Sequence, residues 1–432
     1  MGKLSRTLSF MKRNGLVPTC YAAMERLGKM GPDPDQICAN AYSGPFAEEM
    51  TSVKATSSRC KFSIVVPAYE TKDVYLREMI DSVLAQTYSN WQLVIADASE
   101  SDRVGQTVAA YDDARICYVR LKENKGISEN TNDALKYADG DYIGLLDHDD
   151  RLHPEVLAEI ANLLEKNPYE MVYTDEDKIN EDSSLQFEPN FKPDFNFDFL
   201  LSNNYICHFT VLSRNLMNRL SFRKEYDGAQ DYDLFLQAVY ALEQMHREET
   251  GYSGNQPKNE ADKSYIPYDR SYLRKKIGHV PRVLYHWRAH MASTADNPES
   301  KRYAYEAGKR ALEEFARCSG WDATVEHTKH LGFYRMSYHP DVFAVRRDVM
   351  AVCGKVVTGG RITSGPVVDG KMLFEGMNER YSGYMHRAVL TLEADGSDEA
   401  CLRLRTDKAV SEEDKAKCRT VYLPDFVVRT QK

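Results

Sequence analysis

Short apolar runs alternate with segments of helical periodicity through residues 62–146. The apolar, β-branched runs predict four strands, at 62–66, 91–95, 116–119 and 143–146. Apolar residues at three- and four-residue spacing predict helices between them, at 76–84, about 102–111 and about 127–138. This alternation predicts an α/β fold in which right-handed crossovers connect the strands of a parallel sheet.

The fourth apolar run ends abruptly in three acids, Asp147, Asp149 and Asp150. Their carboxylates repel one another and therefore need a cation, hydrogen-bond donors or solvent. One interpretation is a site for Mg²⁺ or Mn²⁺ that carries a substrate phosphate. The other is a solvated turn that caps a helix beginning at Pro154.

Polar clusters also follow the other three predicted strands. They are Pro67–Glu70, Asp97 and Asn124–Gly126. Because ligands of parallel sheets bind beyond the carboxyl ends of the strands, four such clusters favour a ligand site. The first strand is followed by neither GxGxxG nor a Walker loop. A dinucleotide or P-loop site is therefore disfavoured, and a bound nucleotide would need a metal on the acidic residues.

Downstream, the pattern predicts further α/β structure and then a different module. Helices are expected at 156–164, 230–242 and about 299–318, and strands at 171–173, 203–212 and 280–285. The aromatic stretch 185–200 suits either the lining of a sugar or lipid-linked acceptor site or core packing under a long loop. Residues 246–264 are expected to form an inserted mobile loop. From about 333, short β-branched runs between glycines predict a β-rich module.

These changes of pattern predict three regions. Residues 1–59 would be a basic helical appendage and linker, 60–325 the α/β domain, and 326–432 the β-rich module. Residues 1–30 carry six basic side chains and one acid, so their two short helices would either contact an anionic membrane surface or cap the main domain. Residues 31–59 have the Gly, Pro, Ser and Thr content of a linker.

Composition narrows the class of protein. The 432 residues carry a net charge of -9, which excludes a general nucleic-acid binder. The chain has no uninterrupted apolar run of transmembrane length, and its N-terminus does not resemble a secretory signal. The nine cysteines are scattered without a CxxC pair, which is typical of a protein in the reducing cytosol.

Seven stretches together resemble the family-2 glycosyltransferases, which have the GT-A nucleotide-sugar fold, a Rossmann-like, mostly parallel sheet flanked by helices. They are Ser63–Tyr69, Asp81–Tyr88, Glu123–Ser128, Leu145–Asp150, Tyr173–Lys178, Gln230–Leu234 and Pro281–Arg288. The resemblance covers roughly residues 61–320 and is strongest to bacterial enzymes of rhamnan and O-antigen-type polysaccharides. Residues 340–395 resemble a shortened second transferase domain without a second acidic triplet, so a second active site is not expected.

The resemblance implies roles in donor binding. Pro67, Tyr69 and Glu70 would border the nucleobase, and Asp97 would hydrogen-bond it. The family's usual Asp-Asp-Gly-Ser is here Ala96–Ser99, so the base is not specified. Lys125 would approach the base or the phosphates.

The resemblance also implies a metal and catalytic centre. Asp149 would bind Mn²⁺ or Mg²⁺, and Asp147 would bind the ribose or share the metal. Asp231 would be the catalytic base. Arg288 and Ser293 would bind the diphosphate. His286 and His290 are two further candidate metal ligands.

The implied function is a metal-dependent inverting glycosyltransferase that extends a bacterial surface glycan. Its donor would be a UDP-, TDP- or GDP-linked sugar, its acceptor a lipid-linked glycan, and its location the cytoplasm or the inner face of the membrane. The alternative is a non-catalytic nucleotide-sugar-binding or scaffolding subunit of a polysaccharide assembly complex. A nucleotidyltransferase is disfavoured, because the glycine-rich phosphate loop of that class is missing.

Overall fold

The computed structural model describes residues 11, 19–20, 23–24, 31, 33–42, 58–252, 265–289, 302–406 and 412–431. The two basic helices predicted in residues 1–30 fall almost entirely outside these ranges, as do His290, Ser293 and residues 253–264. The chain divides into two compact units. The larger comprises Tyr42–Asp348 and Val410–Cys418, and the smaller comprises Met1–Ala41, Val349–Ala409 and Arg419–Lys432. The predicted domain bounds stay a prediction.

A nine-stranded sheet forms the centre of the larger unit, in the order β3-β2-β1-β4-β8-β6-β9-β5, with β7 paired to β6. Its strands are β1 Phe62–Ala68, β2 Trp91–Asp97, β3 Ile116–Arg120, β4 Tyr142–Leu145, β5 Arg151–Leu152, β6 Met171–Ile179, β7 Gln186–Asn190, β8 Thr210–Ser213 and β9 Ile277–Arg288. A two-stranded sheet, β10 Ala323–His327 and β11 Tyr334–Tyr338, lies outside it.

The four strands predicted first are parallel neighbours, as expected. Strand β1 lies between β2 and β4, so the chain segments that follow all three strands emerge at one edge of the sheet. Asp97 is the last residue of β2, where it pairs with Ala68, and Asp147 follows β4 by two residues. The α/β fold class is confirmed, and the topology brings two of the predicted polar clusters to the same edge.

The other half of the sheet is mixed. Strand β8 is antiparallel to both β4 and β6, whereas β6 and β9 are parallel. The strand predicted at 171–173 is too short, because β6 continues through the acidic residues 175–177 to Ile179. The acids fit inside the sheet because each has a partner: Asp175 contacts His279, Glu176 contacts Lys192 and Asp177 contacts His286.

Helices of the larger unit cover the sheet and complete the core. The helices of the described chain are α1 Pro34–Ala41, α2 Asp73–Leu84, α3 Arg103–Val108, α4 Ile127–Leu135, α5 Val156–Lys166, α6 Phe197–Leu200, α7 Arg214–Met217, α8 Gln230–Thr250, α9 Arg270–Lys276, α10 Arg302–Cys318, α11 Val342–Val345 and α12 Glu412–Lys417. The apolar faces of α2 and α5 pack on β1 and β2 in one cluster of buried residues. That burial is the main stabilising contribution and holds the strand ends in place.

Three local expectations are corrected. The linker expected at 31–59 contains α1. The loop expected at 246–264 begins later, because α8 continues to Thr250 and ends at Gly251 in the left-handed conformation. The aromatic stretch packs inward: Phe195, Phe197 and Phe199 are buried, which favours the core interpretation over an acceptor lining.

The smaller unit contains the β-rich C-terminal sheet that the sequence predicts. Strand β12 lies beside β13, β18 and β19, and β16 pairs with β19; a second sheet contains β14, β15 and β17. Their bounds are β12 Val349–Thr358, β13 Arg361–Ser364, β14 Pro366–Val368, β15 Lys371–Met372, β16 Leu392–Ala394, β17 Gly396–Ser397, β18 Leu402–Leu404 and β19 Arg419–Thr430. In the described part of the chain, none of the helices has the length and apolar character needed to cross a bilayer.

Candidate active site

The acidic segment 147–150, hereafter the acidic loop, follows β4 and is partly anchored inside the protein. Asp150 is 1% exposed and accepts hydrogen bonds from the Tyr285 hydroxyl and from the backbone N–H of Arg288, the latter at 2.7 Å. Burial, together with the carboxylates of Asp149 and Asp147, raises the pKa of Asp150 well above its ordinary value. Asp150 therefore attaches the loop to β9, while Asp147 and Asp149 are partly exposed.

Arg288 braces the same loop from the end of β9. Its Nε donates to the Asp149 carbonyl at 2.6 Å, and Nη1 donates to the Glu181 carbonyl at 3.0 Å and to Ser183 Oγ at 2.7 Å. Nη2 donates to Glu78 Oε2 at 2.7 Å. The side chain is completely buried, and these contacts use four of its five N–H donors. Its role as a diphosphate ligand stays a prediction, and the observed contacts are those of a loop brace.

Asp147 and Asp231 are far apart in sequence but interact electrostatically. The pKa of Asp147 is raised, first by burial and then by the carboxylates of Asp149 and Asp231, while the rings of His208 and His148 oppose the shift. Asp231 lies in the first turn of α8. The fold thus brings the predicted base and the predicted DxD pair close enough to interact electrostatically.

The Asp231 carboxylate is oriented by the segment before β8. Asn204 Nδ2 donates to its Oδ2 at 2.9 Å, and Cys207 Sγ lies 3.3 Å from the same oxygen. Burial raises the pKa of the Cys207 thiol well above its ordinary value, and the Asp231 and Glu176 carboxylates add to this effect. The thiol is therefore a proton donor to Asp231.

A buried ion pair supports this segment. Lys192 Nζ lies 3.2 Å from Glu176 Oε2 and donates to the carbonyls of Ile206, at 2.6 Å, and His208. Glu176 Oε2 also accepts the backbone N–H of His208 at 3.2 Å. The His208 ring stacks on Tyr285 with the centroids 4.7 Å apart. These contacts fix the backbone on both sides of Cys207.

The predicted nucleobase end lies at the ends of β1 and β2. Asp97 is completely buried and accepts hydrogen bonds from the Tyr118 hydroxyl at 2.7 Å, from Arg120 Nη1 at 2.9 Å and from the Ser99 N–H at 2.9 Å. Its carboxylate is thus engaged within the protein, and the prediction that it binds a base is untested.

Glu70 ties the end of β1 to the segment after β2. Its Oε1 accepts the N–H groups of Glu100 and Ser101, each at 2.9 Å, and its own N–H donates to Ser99 Oγ at 2.8 Å. The pKa of Glu70 is lowered, chiefly by the backbone hydrogen bond from Ser101. Neighbouring Tyr69 is 44% exposed, so a planar group has access to its ring.

The other predicted residues occupy different environments. Pro67 is part of β1 opposite Ala96, and exposed Lys125 lies 3.2 Å from Asp133. His286 is buried on β9 with Nδ1 2.7 Å from Asp177 Oδ1. Their proposed contacts with donor or metal are not tested by the structure.

Sequence reasoning missed Asn204, Cys207 and His208. Nothing in their spacing to Asp231 marks them, because they contact α8 only through the tertiary fold. The one usable signal was the presence of polar side chains inside the strand predicted at 203–212, which in the structure begins only at Thr210. Lys192 was missed because it lies in an aromatic stretch that gives no periodic pattern.

Comparison with known proteins identifies the family. The family model for glycosyl transferase family 2 matches residues 63–224. The UDP-Glc:alpha-D-GlcNAc-diphosphoundecaprenol beta-1,3-glucosyltransferase WfgD of Escherichia coli is 35% identical over 176 residues, which cover 40% of this chain and 68% of WfgD. The O-antigen biosynthesis protein RfbC of Myxococcus xanthus is 29% identical over 306 residues, covering 70% of this chain and 21% of RfbC.

A sheet with carboxylates at the ends of its parallel strands, as found here, is the architecture of the GT-A glycosyltransferases. The chain belongs to glycosyltransferase family 2, and the resemblance seen in its sequence is confirmed. It spans about a quarter or less of the length of the first curated relatives that it matches. The crystal structure of S. aureus TarS 1-349 aligns with a TM-score of 0.39 and 19% identity over 60% of this chain and 71% of that one.

Proposed function

We propose that this chain transfers a sugar from a nucleotide-diphosphate donor to a hydroxyl group of a growing bacterial glycan, with inversion at the anomeric carbon. The observation that carries the proposal is the position of the Asp231 carboxylate. It lies within 4.8 Å of the ring of His208, which stacks on Tyr285, the residue that donates a hydrogen bond to Asp150 of the acidic loop. A site that only bound a nucleotide sugar would need the acidic loop but not a further carboxylate on another element.

Asp149 and Asp147 would hold Mn²⁺ or Mg²⁺, since both ions prefer carboxylate oxygens. The residues fit such an ion, because burial and mutual repulsion raise the pKa of Asp147, and a nearby cation would relieve both effects. When bound, the ion supplies charge that stabilises the diphosphate leaving group. A ligand bond from His286 would come from Nε2, because Nδ1 contacts Asp177; His290 is the other candidate.

Asp231 would act as the base. An acceptor hydroxyl has a pKa far above neutrality, so a carboxylate must remove its proton as the oxygen attacks the anomeric carbon. Asn204 and Cys207 both contact Oδ2 of Asp231, which leaves Oδ1 as the atom that receives the proton. One in-line displacement breaks the bond from sugar to diphosphate, forms the bond to the acceptor oxygen and inverts the anomeric centre.

The remaining residues would bind the donor. Pro67, Tyr69 and Glu70 border the nucleobase in this proposal, with Asp97 below it. Exposed Lys125 and the segment containing Ser293 would approach the phosphates. Arg288 would contribute through the position of the acidic loop, whose backbone it holds.

The acceptor would be a lipid-linked surface glycan. The name of the E. coli relative specifies a UDP-glucose donor and a diphosphoundecaprenol-linked acceptor. We extend the same substrate class, with a UDP-, TDP- or GDP-linked donor, to this chain. The basic residues 1–30 would contact the anionic inner face of the membrane from the cytoplasm.

The test is transfer from a panel of UDP-, TDP- and GDP-sugars with Mn²⁺, with the anomeric configuration of the product read by NMR. Asp231→Asn and Asp149→Ala should each lower kcat at least about 100-fold, whereas Glu248→Gln, an exposed acid near the other end of α8, should not. Full turnover in both site variants would refute the mechanism. Tight donor binding without turnover across a broad acceptor panel would favour the scaffolding alternative.

A further inference from the structure

A thiol, an imidazole and a carboxylate converge next to the acidic loop. Ligand atoms of Cys207, His208 and Asp231 all lie within 4.8 Å of one another, and all three residues are partly exposed. Mg²⁺ and Mn²⁺ prefer oxygen ligands, whereas Zn²⁺ accepts Cys sulfur, His nitrogen and Asp oxygen as ligands. The ligand types therefore differ from those of the Asp147 and Asp149 site.

The distances suit a tetrahedral ion. Bonds of about 2.3 Å to sulfur and about 2.0 Å to oxygen place these two atoms about 3.5 Å apart. In the structure, Cys207 Sγ and Asp231 Oδ2 are 3.3 Å apart. The imidazole nitrogen of His208 needs a similar separation from the sulfur and from the oxygen. Because it already lies within 4.8 Å of both atoms, its ring must move by no more than roughly 1.5 Å.

The three side chains are also held in place by their neighbours. Lys192 anchors the carbonyls of Ile206 and His208, on either side of Cys207. The His208 ring is stacked on Tyr285, and Asn204 Nδ2 holds Asp231 at 2.9 Å. Such supporting contacts orient metal ligands and raise affinity, because little order is lost when the ion binds.

We propose that Cys207, His208 and Asp231 form a second metal site, which takes a thiophilic divalent cation such as Zn²⁺. The Cys207 thiol loses its proton to solvent on binding, and its hydrogen bond to Asp231 is replaced by a metal bond from each side chain. Water completes the coordination.

Occupancy of this site inhibits transfer, because Asp231 bound to the ion cannot accept the proton of the acceptor hydroxyl. This consequence rests on the proposed function, whereas the metal binding does not.

The direct test is titration of the full chain with Co²⁺ in excess Mg²⁺. A thiolate ligand gives Co²⁺ a near-ultraviolet charge-transfer band, which Mg²⁺ does not suppress because it binds thiolate weakly. We expect this band to saturate at one equivalent. Cys207→Ser should abolish the band, and His208→Asn should weaken Co²⁺ binding more than about 100-fold, since even outer-sphere changes cost 10–100-fold. Cys318→Ser, which removes an exposed cysteine elsewhere, and Asp149→Asn should retain the band.

Absence of the band in the wild type, or its persistence in Cys207→Ser, would overturn the proposal. The denaturation midpoint of each metal-free variant is measured alongside to check that it folds. If Cys207→Ser does not fold, the Co²⁺ affinity of His208→Asn decides the question. An affinity of this variant equal to that of the wild type rejects the site.

In a transfer assay, Zn²⁺ at one equivalent should inhibit the wild type and Cys318→Ser but not His208→Asn. A chain that binds Co²⁺ as expected but transfers no sugar would contradict the proposed function and leave the metal site standing.

Discussion

Replacement of Arg288 by methionine separates its two candidate roles. The side chain is completely buried, and its guanidinium holds the Asp149 carbonyl, Ser183 and Glu78. Methionine fills a similar volume but donates no hydrogen bond. If Arg288 braces the acidic loop, its loss should lower both the stability of the larger unit and the affinity for Mn²⁺.

The contacts set the size of the effect. Removing one partner of a buried ion pair costs about 3–5 kcal/mol. The Glu78 side chain is 27% exposed, so solvent screens the charge that is left behind, and the low end, about 3 kcal/mol, is expected. At about 2 °C per kcal/mol for a large domain, the melting temperature should fall by roughly 6 °C. Arg288→Lys should recover little, because one ammonium group cannot reproduce the planar fork.

The assay combines thermal unfolding with Mn²⁺ and donor titrations. Arg282→Met is the matched control, since Arg282 is on the same strand and pairs with Glu155 and Glu159 rather than with the acidic loop. It should lower stability and leave Mn²⁺ affinity unchanged. The reasoning is refuted if Arg288→Met keeps both its melting temperature and its Mn²⁺ affinity and loses only donor binding, because Arg288 would then be a diphosphate ligand.

Three further changes test other parts of the larger unit. Gly144→Ala should destabilise it by about 1–3 kcal/mol, because the new Cβ would lie 2.5 Å from a buried phenylalanine ring. The control is Gly396→Ala in the smaller unit, where a Cβ meets nothing within 4 Å and little effect is expected; thermal unfolding checks both. Lys192→Met should cost about 3–5 kcal/mol in urea unfolding by leaving the Glu176 carboxylate unpaired, and a smaller loss in the double variant with Glu176→Gln would confirm the pairing. Burial lowers the pKa of His153 to about 4. In the unfolded chain the His153 ring takes up a proton at about pH 6.5. The stabilisation that comes from the neutral ring is therefore fully present above that pH, and the free energy of unfolding falls by up to about 3 kcal/mol as the pH drops to 4. Denaturation midpoints across this window should therefore vary less in His153→Asn, and an NMR pKa near 6.5 in the folded wild type would contradict this prediction.

The strand pattern was predictable because short, mostly apolar and β-branched runs are typical of strands. The runs at 62–66, 91–95, 116–119 and 143–146 have this character, and each overlaps one of the four parallel strands. The acidic loop was predictable because its three carboxylates directly follow the apolar run at 143–146. Prediction failed where polar residues enter the sheet: β6 continues through its acids only because Lys192, His279 and His286 lie opposite them.

The sequence by itself determined the family, the α/β class, and the carboxylates that belong at the strand ends. These follow from local patterns, because periodicity and short motifs are properties of contiguous residues. Only the tertiary structure decided which side chains meet. It brought Cys207 and His208 to Asp231 and engaged Arg288 with the acidic loop. Such contacts join elements distant in sequence, and their energies depend on burial and distance, which no local pattern encodes.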